Sequence, residues 1–314
     1  MLGDLLQGAL VISLLAATVR MATPILLAAL GELVTERGGV MNLGVEGTML
    51  MGAFIGFLVA NQTGSLALAV GAAMLAGAGM SLIMAVMAST LKVDQTVTGL
   101  ALNLLASGLS FYWYRVAYKG EGASQVPVAE IFQVLPIPLL SRLPVIGEFL
   151  FSQYLLTYIA LLMVPAVWFF LYRTKYGLLV RCLGENPRSV DMKGVSVARL
   201  QYLALAFGGM MAGMGGSFLT LASAGVFVPE ISAGRGWLAI VIVIAGNWQP
   251  GRILLATLVF AFLDAFQLQV QGLGVKLPYQ ILLALPYVFA ILAMVLSRTR
   301  SQAPGSLGVP YVRE

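Results

Sequence analysis

The chain alternates between long apolar blocks and short polar joints. Nine blocks stand out, roughly 5–31, 43–60, 64–90, 95–116, 150–172, 200–223, 235–249, 252–271 and 278–297. A membrane-spanning helix needs about 20 mostly apolar residues. Most blocks meet that length, and the second and seventh fall short of it. Period-two alternation is missing over any useful length, which argues against a barrel. The pattern predicts an all-α fold, a polytopic transmembrane helix bundle of about 8–10 spans. Broken or re-entrant helices are expected where glycine and polar residues interrupt the apolar runs.

Two joints carry such interruptions. Between the first two blocks, Gly38, Gly39, Gly44 and Gly47 lie among polar groups, with Asn42 and Glu46 one helical turn apart. A carboxylate at membrane depth is costly and points to function. Its structural alternative is to cap a helix N-terminus or pair with Arg37. The second joint is 224–252, where Gly234-Arg-Gly-Trp opens a short apolar run and Gly246-Asn-Trp-Gln-Pro-Gly-Arg closes it. Gln95, Thr98 and Asn103 enter the fourth block behind Asp94, a good N-cap. Asp264 and Gln267 stand one turn apart in the eighth. Such groups either bond a neighbouring helix or line a path. Small residues recur four apart at Gly52 and Gly56, Ala73 and Gly77, and Gly209 and Gly213, a spacing that lets helices approach closely.

Composition supports the membrane reading. The 314 residues are 60% hydrophobic and 10% charged, with a mean hydropathy of +0.93. A soluble domain carries about 25% charged residues. The whole of 1–314 reads as a single transmembrane domain. Its first block lacks a basic leader, so it reads as a span and not as a removed signal peptide.

Charge sets orientation. The joint 173–199 carries Arg173, Lys175, Arg181, Arg188, Lys193 and Arg199, which places it in the cytoplasm. Arg298, Arg300 and Arg313 place the tail 298–314 on the same side. The longest joint, 117–149, then faces outward and is expected to form an ordered cap. Within 173–199, Asn186 before Pro187 suits a helix start, and Gly194 suits its end. This short helix suits docking of a soluble partner, or else lies on anionic lipid.

The chain has no histidine and one cysteine, Cys182, so histidine-based catalysis and internal disulfides are excluded. It also lacks a phosphate-binding G-x-x-x-x-G-K-[ST] loop and a metal-spaced ligand cluster. Neither an enzyme nor nucleic-acid binding is expected.

Glu36-Arg-Gly-Gly-Val-Met-Asn-Leu-Gly-Val-Glu-Gly, Gly184-Glu-Asn-Pro-Arg and Gly246-Asn-Trp-Gln-Pro-Gly-Arg resemble permeases of bacterial simple-sugar and nucleoside ABC importers. That superfamily includes ribose and branched-chain amino acid permeases. The likeness runs from about residue 15 to 297 and is nearest to the shorter permease of nucleoside-type systems. One departure is Asn247-Trp248, where many relatives have a more glycine-rich turn.

The resemblance implies a subunit of the inner membrane with a second permease as heterodimer partner. It also implies a cytoplasmic ATPase and an extracytoplasmic substrate-binding lipoprotein. No cofactor is expected in this chain, since ATP and Mg²⁺ belong on the ATPase. The family's coupling helix falls on Gly184, Glu185, Asn186, Pro187, Arg188 and on to Gly194. Polar groups expected along the substrate path are Asn42, Glu46, Gln95, Asn103, Asp264 and Gln267. The rival reading is an ion-coupled secondary transporter using Glu46 or Asp264.

Overall fold

In the computed structural model the described residues are 8–119, 128–138, 146–272, scattered helical positions between 284 and 295, and 303–312. The ninth apolar block and Arg298, Arg300 and Arg313 lie outside them. The described elements are almost wholly helical: α1 (Gly8–Arg37), α2 (Val45–Thr63), α3 (Leu66–Ala85) and α4 (Gln95–Ala117) come first. Beyond a two-residue strand pairing of β1 (Leu135–Pro136) with β2 (Ser152–Gln153), around the short α5 (Ile146–Leu150), comes α6 (Leu155–Arg173). Two short helices follow, α7 (Lys175–Glu185) and α8 (Pro187–Asp191). Then come α9 (Val197–Phe218), α10 (Arg235–Ala245) and α11 (Pro250–Gly272).

Five described helical stretches are long and apolar enough to cross a bilayer: Leu10–Arg37, Leu66–Thr90, Leu155–Arg173, Val197–Ala224 and Pro250–Gly272. Two of these end in a π-helical turn, Val86–Thr90 after α3 and Leu219–Ala224 after α9. The helix starts follow their caps. Asp94 Oδ1 accepts from the Val97 amide at 2.9 Å, and Thr174 Oγ1 accepts from Gly177 at 3.0 Å.

α9 is the hub and packs against α3, α1 and α2. Its glycine face makes this possible. A Cβ on Gly77 would run into the Gly209 carbonyl, one on Gly213 into the Ala73 carbonyl, and one on Gly52 into Gly213. The small-residue pairs spaced along α2, α3 and α9 therefore meet one another, backbone against backbone. Without water to drive association in lipid, such close van der Waals contact holds helices together. α1 supplies a second axis, against which α11, α10 and α6 pack. Its inward face, Ile25, Leu26, Leu27, Leu30 and Leu33, is fully buried.

Candidate functional site

The site grows from the joint 38–44 between α1 and α2. Gly39, at φ +82°, turns the chain out of α1. From there residues 41–47 climb along α4. Gln95 Oε1 accepts from the Met41 amide at 2.8 Å. Eight residues up that helix, a rise of about 12 Å, Asn103 Oδ1 accepts from the Gly47 amide at 2.8 Å and its Nδ2 donates to the Leu43 carbonyl at 2.9 Å. Asn42 Oδ1 accepts from Gly44 at 3.0 Å, and Glu32 Oε1 accepts from the Asn42 amide at 2.9 Å. The irregular stretch and the first turn of α2 need these side chains, because their amides have no backbone acceptor within a helix.

α2 thus starts part-way up the bundle, and the N-terminus of α10 meets it there. Glu46, in the first turn of α2, accepts from the Gly234 amide at 2.8 Å and the Gly236 amide at 2.7 Å. One carboxylate therefore sits between two helix N-termini, whose positive dipole ends would otherwise face each other unscreened. The approach is close: a Cβ on Gly236 would meet the Glu46 backbone. α10 has 11 residues; at 1.5 Å each it spans about 17 Å, half of a hydrocarbon core of about 30 Å.

The other end of α10 returns to α1. Asn247 and Trp248 both adopt φ +51°, a left-handed conformation suited to glycine. This is where the chain departs from a glycine-rich turn, and Trp248 explains the choice. Its Nε1 donates to the buried Glu36 Oε2, while its carbonyl accepts from Arg37 Nη2 at 3.1 Å. The short helix is held at its start by Glu46 of α2 and at its end by Glu36 and Arg37 of α1, the residues that flank one joint.

The segment 184–194 abuts that joint. Arg37 also faces Glu185, with Nη1 to Oε1 at 3.8 Å, and a Cβ on Gly184 would collide with the Arg37 carbonyl. Asn186 precedes Pro187 at the start of α8, and Gly194 at φ +76° turns the chain after it.

Farther up α1, two adjoining cavities share Met21 and Arg235. One, of about 190 Å³, is lined by Arg235, Leu238, Asp264 and Gln267; the other, of about 270 Å³, by Arg20, Tyr154 and Ser223. Among the described residues no group of three or more His, Cys, Asp or Glu is placed to hold a metal.

A model of the branched-chain amino acid transport system / permease component family matches residues 14–297. The chain belongs to this permease family. A putative glucose ABC transporter permease protein, TsgC13 of Haloferax volcanii, is 39% identical over 268 residues, 84% of this chain and 79% of the relative. The guanosine ABC transporter permease protein NupQ of Bacillus subtilis is 34% identical over 306 residues, 95% of each chain. The nucleoside ABC transporter permease protein NupC of Lactococcus lactis is 31% identical over 302 residues, 93% of this chain and 94% of the relative. No solved structure matches significantly. This permease is a multi-pass membrane protein.

Within the permease, the polar groups chosen from sequence divide into two sets. Asn42, Gln95 and Asn103 bond the backbone of the joint and of the turn after it, Asn42 Nδ2 also donating to Ser81 Oγ at 3.4 Å, while Glu46 bonds the backbone at the start of α10. Asp264 and Gln267 line open space instead. Arg20 and Arg235 line the same pair of cavities and lie outside the polar set that the sequence pattern points to. Their signal was present, since each is a charge set within or at the start of an apolar block.

Proposed function

We propose that this permease imports a nucleoside or simple sugar, driven by ATP hydrolysis on a separate cytoplasmic ATPase that carries the ATP and Mg²⁺. A second permease completes the pore, and an extracytoplasmic lipoprotein delivers substrate. Residues 173–199 and the 298–314 tail face the cytoplasm. Similarity to permeases named for guanosine, nucleoside and glucose transport supports the substrate class.

The observation that carries the reading is the suspension of α10. Both of its ends hang from the helix termini that flank the α1–α2 joint, and the α1 terminus meets Gly184–Glu185 through Arg37. A push on 184–194, from Gly184, Glu185, Asn186, Pro187 and Arg188 to Gly194, reaches Arg37 and through it the short helix. The substrate path passes the cavities beside α1, where Asp264, Gln267 and Arg235 present donors and acceptors. Asn42, Glu46, Gln95 and Asn103 shape it at the height of the joint. Paired helix N-termini would favour an anion, but Glu46 already occupies that position, which favours a neutral polar substrate.

The test is the double variant Glu185→Ala with Arg188→Ala in the reconstituted transporter. Uptake and substrate-stimulated ATP hydrolysis should both drop, with docking of the substrate-binding protein unchanged. Normal coupling would remove 184–194 from this role.

A further inference from the structure

We propose that residues 303–312 form a second arm of the ATPase-docking surface, beside the coupling segment 184–194. This rests on the permease reading above.

The segment is stitched to the coupling region by its backbone and by one phenol. The Ser306 amide donates to the Gly184 carbonyl at 2.8 Å, and Ser306 Oγ donates to the Glu185 carbonyl at 3.2 Å. The Gly305 amide donates to Glu185 Oε2 at 3.3 Å. The Gly308 amide, in a turn at φ +77°, donates to the Gly39 carbonyl at 3.2 Å. Beyond that turn, Tyr311 Oη donates to Asp191 Oδ2 at 3.0 Å, and its ring packs with the small cluster of Leu183, Val190 and Val197. A peptide without helix or strand pays for its order only where bonds of this kind hold it.

The result is a composite face. Met192 is 77% exposed, Val309 60% and Val312 59%; Met192 follows Asp191 in the chain, and Val309 and Val312 lie two before and one after Tyr311, so the bond between those two holds all three apolar side chains beside the coupling segment. Exposed apolar groups held in order outside the apolar spans suit contact with a partner. Around them stand exposed Arg188 and Lys193. The fitting partner is a soluble protein with an apolar cleft, acidic groups opposite Arg188 and Lys193, and a donor opposite Glu185, which is 59% exposed. A lipid surface fits less well, because uniformly anionic headgroups suit the two cations and not the carboxylate beside them.

The experiment uses the whole transporter, purified from its host through a tag on this permease. Val309→Asp with Val312→Asp places charges on exposed positions, which leaves the fold intact. It should lower the ATPase retained per permease by at least tenfold, because an interface does not bury unpaired charge cheaply. Tyr311→Phe, which keeps the ring and loses the bond to Asp191, should give a smaller loss. A photo-crosslinker at Val312 should yield an adduct with the ATPase.

Arg188→Glu separates the outcomes. If it strips the ATPase while the double aspartate variant retains it, the second arm is wrong and the coupling segment stands. If neither variant loses ATPase, the permease reading of 184–194 falls with it. An adduct with lipid alone overturns the proposal in favour of a membrane contact.

Discussion

At the scale of single residues, Glu46 decides most. It is 8% exposed and accepts two backbone bonds from α10. A charge-assisted bond of this kind contributes roughly 1.5–3 kcal/mol. Glu46→Ala should therefore lower the thermal unfolding midpoint of the solubilised protein and abolish uptake. Glu46→Gln, with one acceptor oxygen in place of two, should recover part of the midpoint. Equal midpoints for all three proteins would show that the carboxylate does not hold α10. Trp248→Gly should destabilise in denaturant titrations even though glycine relaxes its φ of +51°, because it strands the Glu36 carboxylate.

At the scale of elements, α3 contains its own control. Gly77 lies against the Gly209 backbone, whereas a Cβ on Gly79, two positions on, would meet nothing within 4 Å. Gly77→Ala should prevent accumulation of folded protein in the membrane, and Gly79→Ala should be neutral or slightly stabilising, as expected for alanine in an exposed helix interior. Yield by fluorescence-detected size exclusion reads both. The elements were largely legible beforehand. Most apolar blocks end within a few residues of their helices, although α1 runs six residues past its block to Arg37 and α10 stops at Ala245, short of its block's end at 249; Asp94 caps α4, and within the joints 38–47 and 224–252 the chain leaves the helix at 38–44, 225–234 and 246–249. The small-residue spacing also announced close packing, though not which face met which. Its position suits Glu46 to cap a helix or to pair with Arg37, and the helix it caps begins 188 positions downstream. No periodicity encodes so distant a pairing. Residues 303–312 gave no pattern at all, since their bonds come mainly from backbone amides that every sequence offers.

At the scale of the whole molecule, the described helices divide into a tightly meshed block and a hydrogen-bonded joint. α2, α3 and α9 mesh through glycine, while α10 and segment 184–194 attach through side chains to 32–47. Transport should tolerate a lock within the block. Gly56→Cys with Ser217→Cys, in a Cys182→Ser background, brings together positions whose Cβ atoms would stand 3.1 Å apart, close to the 3.5–4.5 Å of a disulfide. Oxidised protein should import at nearly the rate of reduced protein. Arrest on oxidation, reversed by reductant, would mean that α2 and α9 slide past each other during the cycle.

Where one helix's carbonyl rests on another's bare Cα, there is no rotamer left to change. Such a contact has no second arrangement of similar energy, so it acts as a bearing surface with no play. Under the proposed ATP-driven cycle, a stroke must then spend itself either in the polar joint or at the edges of the meshed block.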